Sequence, residues 1–418
     1  GLIGSRHVLD FQDQPDVNMV AMCETHAARL GSGLAVMGAQ ARGYRDFREM
    51  YDNPDIDAVC ISTPDHWHAL QTMLACAAGK DVYVEKPVTL FPREGDWMLA
   101  VADRHGSVVQ IGTQQRSGPH YQRAKELIQS GHIGQVTSVR MQAYRNVWPG
   151  FGNYDESEPP TDFDYAMWLG PAPEHPYHPL RGIYHFRWFW DYSGGQMTNL
   201  GQHSLDIVDW VLDATTLKSV VSSGGRYALT GDGETPDTQD ALYEFDGWTA
   251  EWASRETSRG VGKDAGGYSL TFYGNKGSLG INRSGFAVVP DPEVPPESLI
   301  PDFLKPKPTS EERANRPTPQ PRTEAIVDES GDDRDQFRRH VRNFLDCIRT
   351  RERPVSDLAS GCRVANLCHL ANISLRTGRK VGWDAGRSVP VDDPEVLACL
   401  TRPYRAPWDR ELAALGVG

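Results

Sequence analysis

The chain has 418 residues, of which 39% are hydrophobic and 24% charged, an ordinary globular balance at a length suited to two domains. Its net charge of -13 argues against a duplex nucleic-acid partner, which calls for a basic face. The lack of any run of about eighteen apolar residues argues against a membrane span. Seven cysteines, with no Cys-x-x-Cys pair and no Cys/His cluster at zinc spacing, read as small buried hydrophobes rather than a disulfide framework.

At the start, Gly1-Leu2-Ile3-Gly4-Ser5-Arg6-His7 reads as the second half of a glycine-rich turn running into an amphipathic stretch, with no strand before it. We therefore expect the native chain to begin upstream, any export signal being lost with that segment, and assign no compartment. From there to about residue 116, strands at 17–23, 58–63, 81–84 and 108–113 alternate with helices at 5–11, 47–51, 66–78 and 92–105. Nearly all-apolar strands separated by helices predict a parallel sheet covered on both faces, the doubly wound nucleotide-binding layout.

After residue 117 the rhythm changes. A helix at 120–129 leads into an alternating strand at 136–144. A helix at 202–212 follows, then strands at 217–227, 241–256 and 268–281, the last broken by the hairpin turn Gly274-Asn275-Lys276-Gly277. This pattern predicts a largely antiparallel sheet. The proline- and charge-rich stretch 290–322 reads as an extended loop, and helices at 334–349 and 358–377, the second capped by Gly378, close the chain. The expected domains are a Rossmann domain over 1–116 and a substrate-binding and oligomerisation domain over 117–418.

Three pieces point to a dinucleotide. Gly1 and Gly4 precede a helix whose free N–H groups and dipole favour a pyrophosphate. Glu24, the acid ending the next strand, would accept the ribose hydroxyls and repel a 2′-phosphate, which favours NAD over NADP. Ser62-Thr63-Pro64-Asp65-His66-Trp67-His68 lies at a strand's carboxyl end, where open α/β sheets bind ligands. His66 and His68 lack the carboxylate or cysteines that would complete a metal site, so cofactor contact is the expected role and no metal is assigned. The next strand runs into Glu85-Lys86-Pro87. A residue before proline is pushed out of the helical region, so Lys86 is expected to extend from the sheet edge into the cleft, where partial desolvation would suit it to exchange a proton with a substrate hydroxyl. By spacing alone, a solvated surface lysine remains an equal reading.

The order of these pieces resembles the glucose-fructose oxidoreductase, inositol dehydrogenase and MocA (Gfo/Idh/MocA) family: the glycine-rich turn, the strand-end acid, Asp57-Ala58-Val59-Cys60-Ile61-Ser62-Thr63-Pro64 with His68, Glu85-Lys86-Pro87, then Ile133-Gly134. The resemblance spans nearly the whole chain. It implies a Rossmann domain followed by an α/β domain whose large, mostly antiparallel sheet commonly makes subunit contacts, here a homodimer or homotetramer. It further implies hydride transfer between NAD(P) and a hydroxyl, with Lys86 near both cofactor and substrate. A second signature of the family is a Gly-Gly turn followed by Asp-x-Gly-x-His-x-x-Asp. In this sequence Gly194-Gly195 is followed by Asn199-Leu200-Gly201-Gln202-His203-Ser204-Leu205-Asp206. His203 and Asp206 match, but Asn199 stands where the family carries Asp, which keeps hydrogen bonding and removes a charge.

Together these readings assign Lys86 and His203 to proton transfer, with Asp206 a candidate to orient the histidine. The expected cofactor contacts are Gly1, Ile3, Gly4, Glu24, Thr63, Pro64, His68, Glu85, Lys86 and Gln114. Asn199, Asp206, Arg116, Trp168 and Tyr192 are expected to contact the substrate. The last three come from a set rich in aromatic and cationic residues that also holds Tyr144, Arg145, Trp148, Tyr184, Arg187, Trp188 and Trp190. Flat rings give sugar C–H faces an apolar platform, and arginine offers forked donors. The leading expectation is an NAD-dependent dehydrogenase acting on a sugar, cyclitol or glycoside. Two readings stand beside it: a glycosidase or lyase that oxidises the sugar transiently, and a non-catalytic sugar or dinucleotide sensor.

Overall fold

The computed structural model describes residues 1–260, 267–293, 300–307, 309–311, 319–384, 389–390 and 393–418. Its first layer runs α1 (Leu2–Gln12), β1 (Ala21–Cys23), α2 (Ala27–Met37), β2 (Arg42–Tyr44), α3 (Phe47–Tyr51), β3 (Ala58–Ile61), α4 (Asp65–Ala77), β4 (Asp81–Val84), α5 (Pro92–His105) and β5 (Val109–Ile111). β1 pairs with β2, and β3, β4 and β5 pair in that order; every pairing is parallel. The apolar strands 3 to 5 are covered by helices, and α4 is buried at every position except Leu74 and Ala77. Such complete coverage is what a continuous apolar run in a parallel strand requires. α2 and β2 escaped the sequence reading for a physical reason. The helix carries two glycines, which are weak helix formers, and β2 is only three residues long with a glycine at its centre.

The second layer begins with α6 (Pro119–Gln129) and β6 (Val136–Tyr144), followed by β7 (Gly150–Gly152), α7 (Tyr165–Leu169) and α8 (Gln202–Leu212). Then come β8 (Ser219–Gly225), β9 (Thr230–Gly231), β10 (Thr238–Glu244), β11 (Thr249–Arg255), β12 (Tyr268–Gly274), β13 (Gly277–Asn282), β14 (Gly285–Pro290) and β15 (Ile326–Asp328). The chain closes with α9 (Asp333–Thr350), α10 (Leu358–Thr377), β16 (Val381–Asp384), β17 (Val389–Pro390), α11 (Pro394–Ala398) and α12 (Trp408–Ala414). Ten strands form one sheet in the order β15-β14-β13-β12-β6-β11-β10-β8-β16-β17, antiparallel except where β6 lies parallel to β11. Alternation along β10 buries Gln239, Ala241 and Tyr243 on one face and exposes Asp240, Leu242 and Glu244 on the other. The buried face packs under α6, α8 and α10 around Trp252, Phe272, Tyr243 and Val139.

Two expectations need adjustment. The single strand expected over 241–256 is a hairpin, because Gly247 adopts φ 83° and Phe245 stacks on Trp248 with ring centroids 3.9 Å apart. The division at residue 116 marks the change of sheet but not the whole packing. Val341 and Phe344 of α9 share a core with Phe11 and Tyr83, and Leu358, Cys362 and Trp408 join the core of the first layer. The closing helices thus tie the large sheet back to the parallel layer. Part of the loop expected over 290–322 lies outside the described residues; the described part includes a short turn at Asp302–Leu304 and an isolated bridge between Pro292 and Pro321. No helix among the described residues is long and apolar enough to cross a membrane.

Candidate active site

The carboxyl ends of β1, β3, β4 and β5 carry Glu24, Ser62-Thr63-Pro64, Glu85-Lys86-Pro87 and Gly112. Against this edge comes the turn before α8. Asp65, at the start of α4, accepts a 2.5 Å hydrogen bond from the Ser193 hydroxyl. After it, Gly194 and Gly195 allow a close approach: a Cβ at Gly194 would lie 2.4 Å from Thr198 Cγ2, and Gly195 has φ 68°. Residues Met197–Gly201 then form one π-helical turn before the α-helix proper. Such turns bulge a helix and recur at functional sites. Here the bulge carries Asn199, which meets Lys86.

Lys86 is half-buried. Its Nζ donates to the Asn199 carbonyl at 2.8 Å and to Asn199 Oδ1 at 2.9 Å. Burial pulls the amine down from 10.5 to about 8; Glu85 and Asp65 oppose that pull, and Arg187 and Arg283 add to it. Asn199 Nδ2 in turn donates to Gln196 Oε1 at 3.1 Å, and the Gln196 Nε2 is buried without a partner. The sequence reading missed Gln196, which only its place after the Gly-Gly turn marks. His203, one turn beyond Asn199, is buried with Nδ1 unpartnered. Burial, then the charges of Lys86, Arg283 and His340, hold it well below its usual range, so its ring is neutral.

Other expected residues occupy different places. Arg116 and Asp206 were expected to contact substrate, but they answer each other under α8. Arg116 Nε donates to Asp206 Oδ2 at 2.9 Å, Nη2 lies 2.7 Å from Oδ1, and Nη1 reaches the Val355 carbonyl and the Ser360 hydroxyl. The Asp206 carboxylate thus faces Arg116, and no hydrogen bond joins it to His203, whose Nδ1 stays unpartnered. Trp168 and Tyr192, expected as sugar platforms, are buried against each other at 4.9 Å and around His66 at 5.3 and 5.2 Å. The Trp168 carbonyl accepts from Trp67 Nε1 at 3.0 Å and lies 2.9 Å from His66 Nε2, and burial lowers His66 to about 3. Trp188 is also interior, donating to Glu256 Oε2 at 2.8 Å, whereas Trp148 and Tyr184 remain exposed.

The residues expected at the cofactor divide in the same way. Glu24 is partly exposed at the end of β1, and its Oε1 accepts from the His26 backbone N–H at 3.1 Å. Gly1, Ile3 and Gly4 begin α1, and a Cβ at Gly4 would touch Ser62 Cβ at 3.5 Å. This edge fits a dinucleotide: a glycine-containing helix start lies against the Ser62-Thr63-Pro64 loop, with a partly open carboxylate at the next strand end. Gln114 is buried in the turn after β5. His68 places its ring nitrogens 2.6 Å from the Pro87 carbonyl and 2.8 Å from the Thr63 carbonyl, bracing the two strand-end loops. Glu85 points inward instead of towards the cleft. Its Oε1 lies 2.7 Å from His7 Nε2, and Oε2 accepts from the Lys86 backbone N–H at 3.2 Å. Burial pushes this carboxyl up, but the His7 bond and the charges of His7, Lys86 and His68 outweigh it and leave it below its usual range.

Nothing in the sequence linked His7 to Glu85, since the two are 78 residues apart. Their contact explains Gly112, where a Cβ would stand 2.5 Å from Glu85 Oε1. Gly112→Ala is therefore expected to cost about 1–3 kcal/mol of stability, read as a lower melting temperature; an unchanged melting temperature would show that Glu85 is free to move.

Residues 1–113 match the family model described as oxidoreductase family, NAD-binding Rossmann fold, and residues 118–222 match that of the oxidoreductase family C-terminal alpha/beta domain. The chain is 30% identical over 146 residues to inositol 2-dehydrogenase of Salmonella typhimurium, covering 34% of this chain and 44% of that protein. It is 29% identical over 234 residues to a 1-carboxy-3-chloro-3,4-dihydroxycyclohexa-1,5-diene dehydrogenase of Comamonas testosteroni, covering 56% and 50%. The chain thus spans about two-fifths to half the length of the curated relatives it matches. Among solved structures, levoglucosan dehydrogenase in complex with NADH and levoglucosan superposes with a TM-score of 0.67 at 16% identity, over 91% of this chain and 96% of that one. The WlbA dehydrogenase from Bordetella pertussis, in complex with NADH and UDP-GlcNAcA, gives 0.64 at 19% identity over 94% and 96%. At such identities these two likenesses establish the fold.

Proposed function

Because this chain belongs to the Gfo/Idh/MocA oxidoreductase family, with an NAD-binding Rossmann fold over residues 1–113, we propose that it oxidises a secondary hydroxyl of a sugar, cyclitol or glycoside. The observation that carries this reading is the Lys86 amine, held at the carboxyl edge of the parallel layer where the Asn199 turn meets it. When bound, NAD supplies the hydride acceptor. Gly1, Ile3 and Gly4 at the start of α1, with Thr63 and Pro64, would hold its pyrophosphate side, and Glu24 its ribose hydroxyls. Lys86 takes the proton released from the substrate hydroxyl, and its depressed affinity suits that task near neutral pH. His203 offers a neutral ring nitrogen to orient the same or a neighbouring hydroxyl. The inositol and levoglucosan dehydrogenases among the relatives support a polyol or sugar as substrate class. The exposed pair Val221 and Leu242, directly opposite each other on the outer face of the large sheet, supports that face as a self-association surface.

Glu24→Ser tests the cofactor side. Loss of a charged acceptor is worth about 1.5–3 kcal/mol, so NADH affinity, followed by fluorescence titration, should fall about 10- to 100-fold while NADPH binding improves. Equal NADH affinity in the variant would remove Glu24 from the site. The function itself is tested by incubating the protein and NAD with a panel of sugars, inositols and chromogenic glycosides. Accumulation of NADH supports the reading, and glycoside cleavage without net NADH would replace it with a transient-oxidation mechanism.

A further inference from the structure

We propose that Gln196 and Asn199 form an uncharged amide clamp that aims the Lys86 amine and leaves it free to accept the substrate's proton, a positioning role that rests on the reading above. Lys86 donates two N–H groups, both to Asn199: one to the main-chain carbonyl at 2.8 Å and one to Oδ1 at 2.9 Å. A neutral amine has two N–H bonds and one lone pair. With both donors committed to Asn199, the lone pair is what remains for a substrate O–H. The clamp is directional, because Gln196 Oε1 accepts from Asn199 Nδ2 and so keeps Oδ1 turned towards Lys86. Gln196 is itself buried on the turn after Gly194-Gly195, and the π turn presents the Asn199 carbonyl and side chain together.

Charge decides why the clamp is an amide. The groups acting on Lys86 are Glu85 beside it, Asp65 on α4, Arg187 and Arg283. His203 on α8 and Cys368 on α10 feel its charge in turn; the histidine is neutral, and the thiol is pushed up by burial and stays protonated. Burial is the largest influence on the proton affinity of the amine, and around it the two carboxylates and the two guanidiniums pull in opposite directions. A carboxylate at position 199 would sit within 3 Å of Nζ, break that balance and favour the ammonium form, since an opposite charge at such range moves a group by about 1–3 pH units. The amide keeps the geometry and omits the charge. In the oxidation, the substrate O–H would break as an N–H forms on Lys86, the O–H bonding pair would become the second bond of a C=O, the C–H of that carbinol carbon would leave as hydride for bound NAD, and the resulting ammonium would return its proton to water.

The test pairs a kinetic and a substrate-free readout. In Asn199→Asp, the acidic limb of the pH profile for NAD-dependent oxidation should move up by about 1–2 units, lowering the rate at pH 7 about 10- to 100-fold. In Gln196→Met, kcat should fall with the limb in place and KM for NAD unchanged. Independently, the Lys86 Cε resonance of 13C-labelled protein, assigned by its loss in Lys86→Met, should titrate at higher pH in Asn199→Asp than in the unaltered chain. Coincident NMR midpoints in the two proteins overturn the clamp, as does a Gln196→Met variant with full kcat. A shifted midpoint in a protein that reduces no NAD with any polyol would sustain the clamp and sink the proposed reaction instead.

Discussion

Lys86→Met is expected to lower kcat by about 100- to 10,000-fold, the range that a positioned general base contributes, while leaving NADH affinity within about twofold. Of the neighbouring titratable groups, neither Glu85 nor His203 is suited to take over the proton. Glu85 is turned inward to His7, and His203 is a neutral ring held well below its usual range by burial and by its cationic neighbours. The same variant carries an opposite expectation for stability. Burial lowers Lys86 in the folded protein from 10.5 to about 8. Below pH 8 both folded and unfolded states hold the charged amine, and the folded state bears the full cost of burying it. Between about pH 8 and 10.5 the unfolded chain binds more protons, so this group's contribution to stability rises with pH. At pH 7, Lys86→Met should therefore melt at or above the temperature of the unaltered protein. An inactive variant that also melts well below it would indicate a structural lysine.

The second large effect lies where the sequence pointed to substrate and the structure holds an ion pair. Asp206→Ala leaves the buried Arg116 guanidinium without its carboxylate and should cost about 3–5 kcal/mol. The neighbouring Asp209 does not substitute, because its oxygens are held by Arg363 at 2.7 and 2.9 Å and it stands 3.6 Å from Arg116. Urea unfolding of Asp206→Ala should show the loss as an earlier midpoint. The double variant Arg116→Met/Asp206→Leu should recover most of it, since removing both charges also removes the unpaired one. If the double variant is no more stable than the single, lost packing rather than an uncompensated charge is responsible.

Sequence reading placed residues at the carboxyl edge of the parallel layer better than it paired the buried ones behind them. Glu24, Thr63-Pro64 and Lys86 were legible because each follows a short apolar strand, and the carboxyl ends of parallel strands are where chain direction and proline constraints leave side chains facing a ligand. The long helix α10 was legible to its end from the Gly378 cap. What local pattern cannot carry is a partner far along the chain. Arg116 meets Asp206 across 90 residues and His7 meets Glu85 across 78, so a charged residue near the cleft reads as a ligand until its partner is seen. Trp168 and Tyr192 were misplaced for a related reason: their rings enclose His66, and a histidine that draws aromatics around itself leaves no mark in their own sequence. The π turn was equally hidden, because nothing in the residue types of Met197–Gly201 marks the wider turn.

The reaction is tested most directly by following the hydrogen itself. The protein is incubated with NAD and a panel of sugars and inositols deuterated at their carbinol carbons, and the nicotinamide product is examined by mass spectrometry. Hydride transfer with Lys86 as proton acceptor predicts deuterium in the NADH formed by the unaltered chain and almost none formed by Lys86→Met in the same time. Nicotinamide that stays unlabelled across the panel, or labelling that proceeds equally in Lys86→Met, would contradict it.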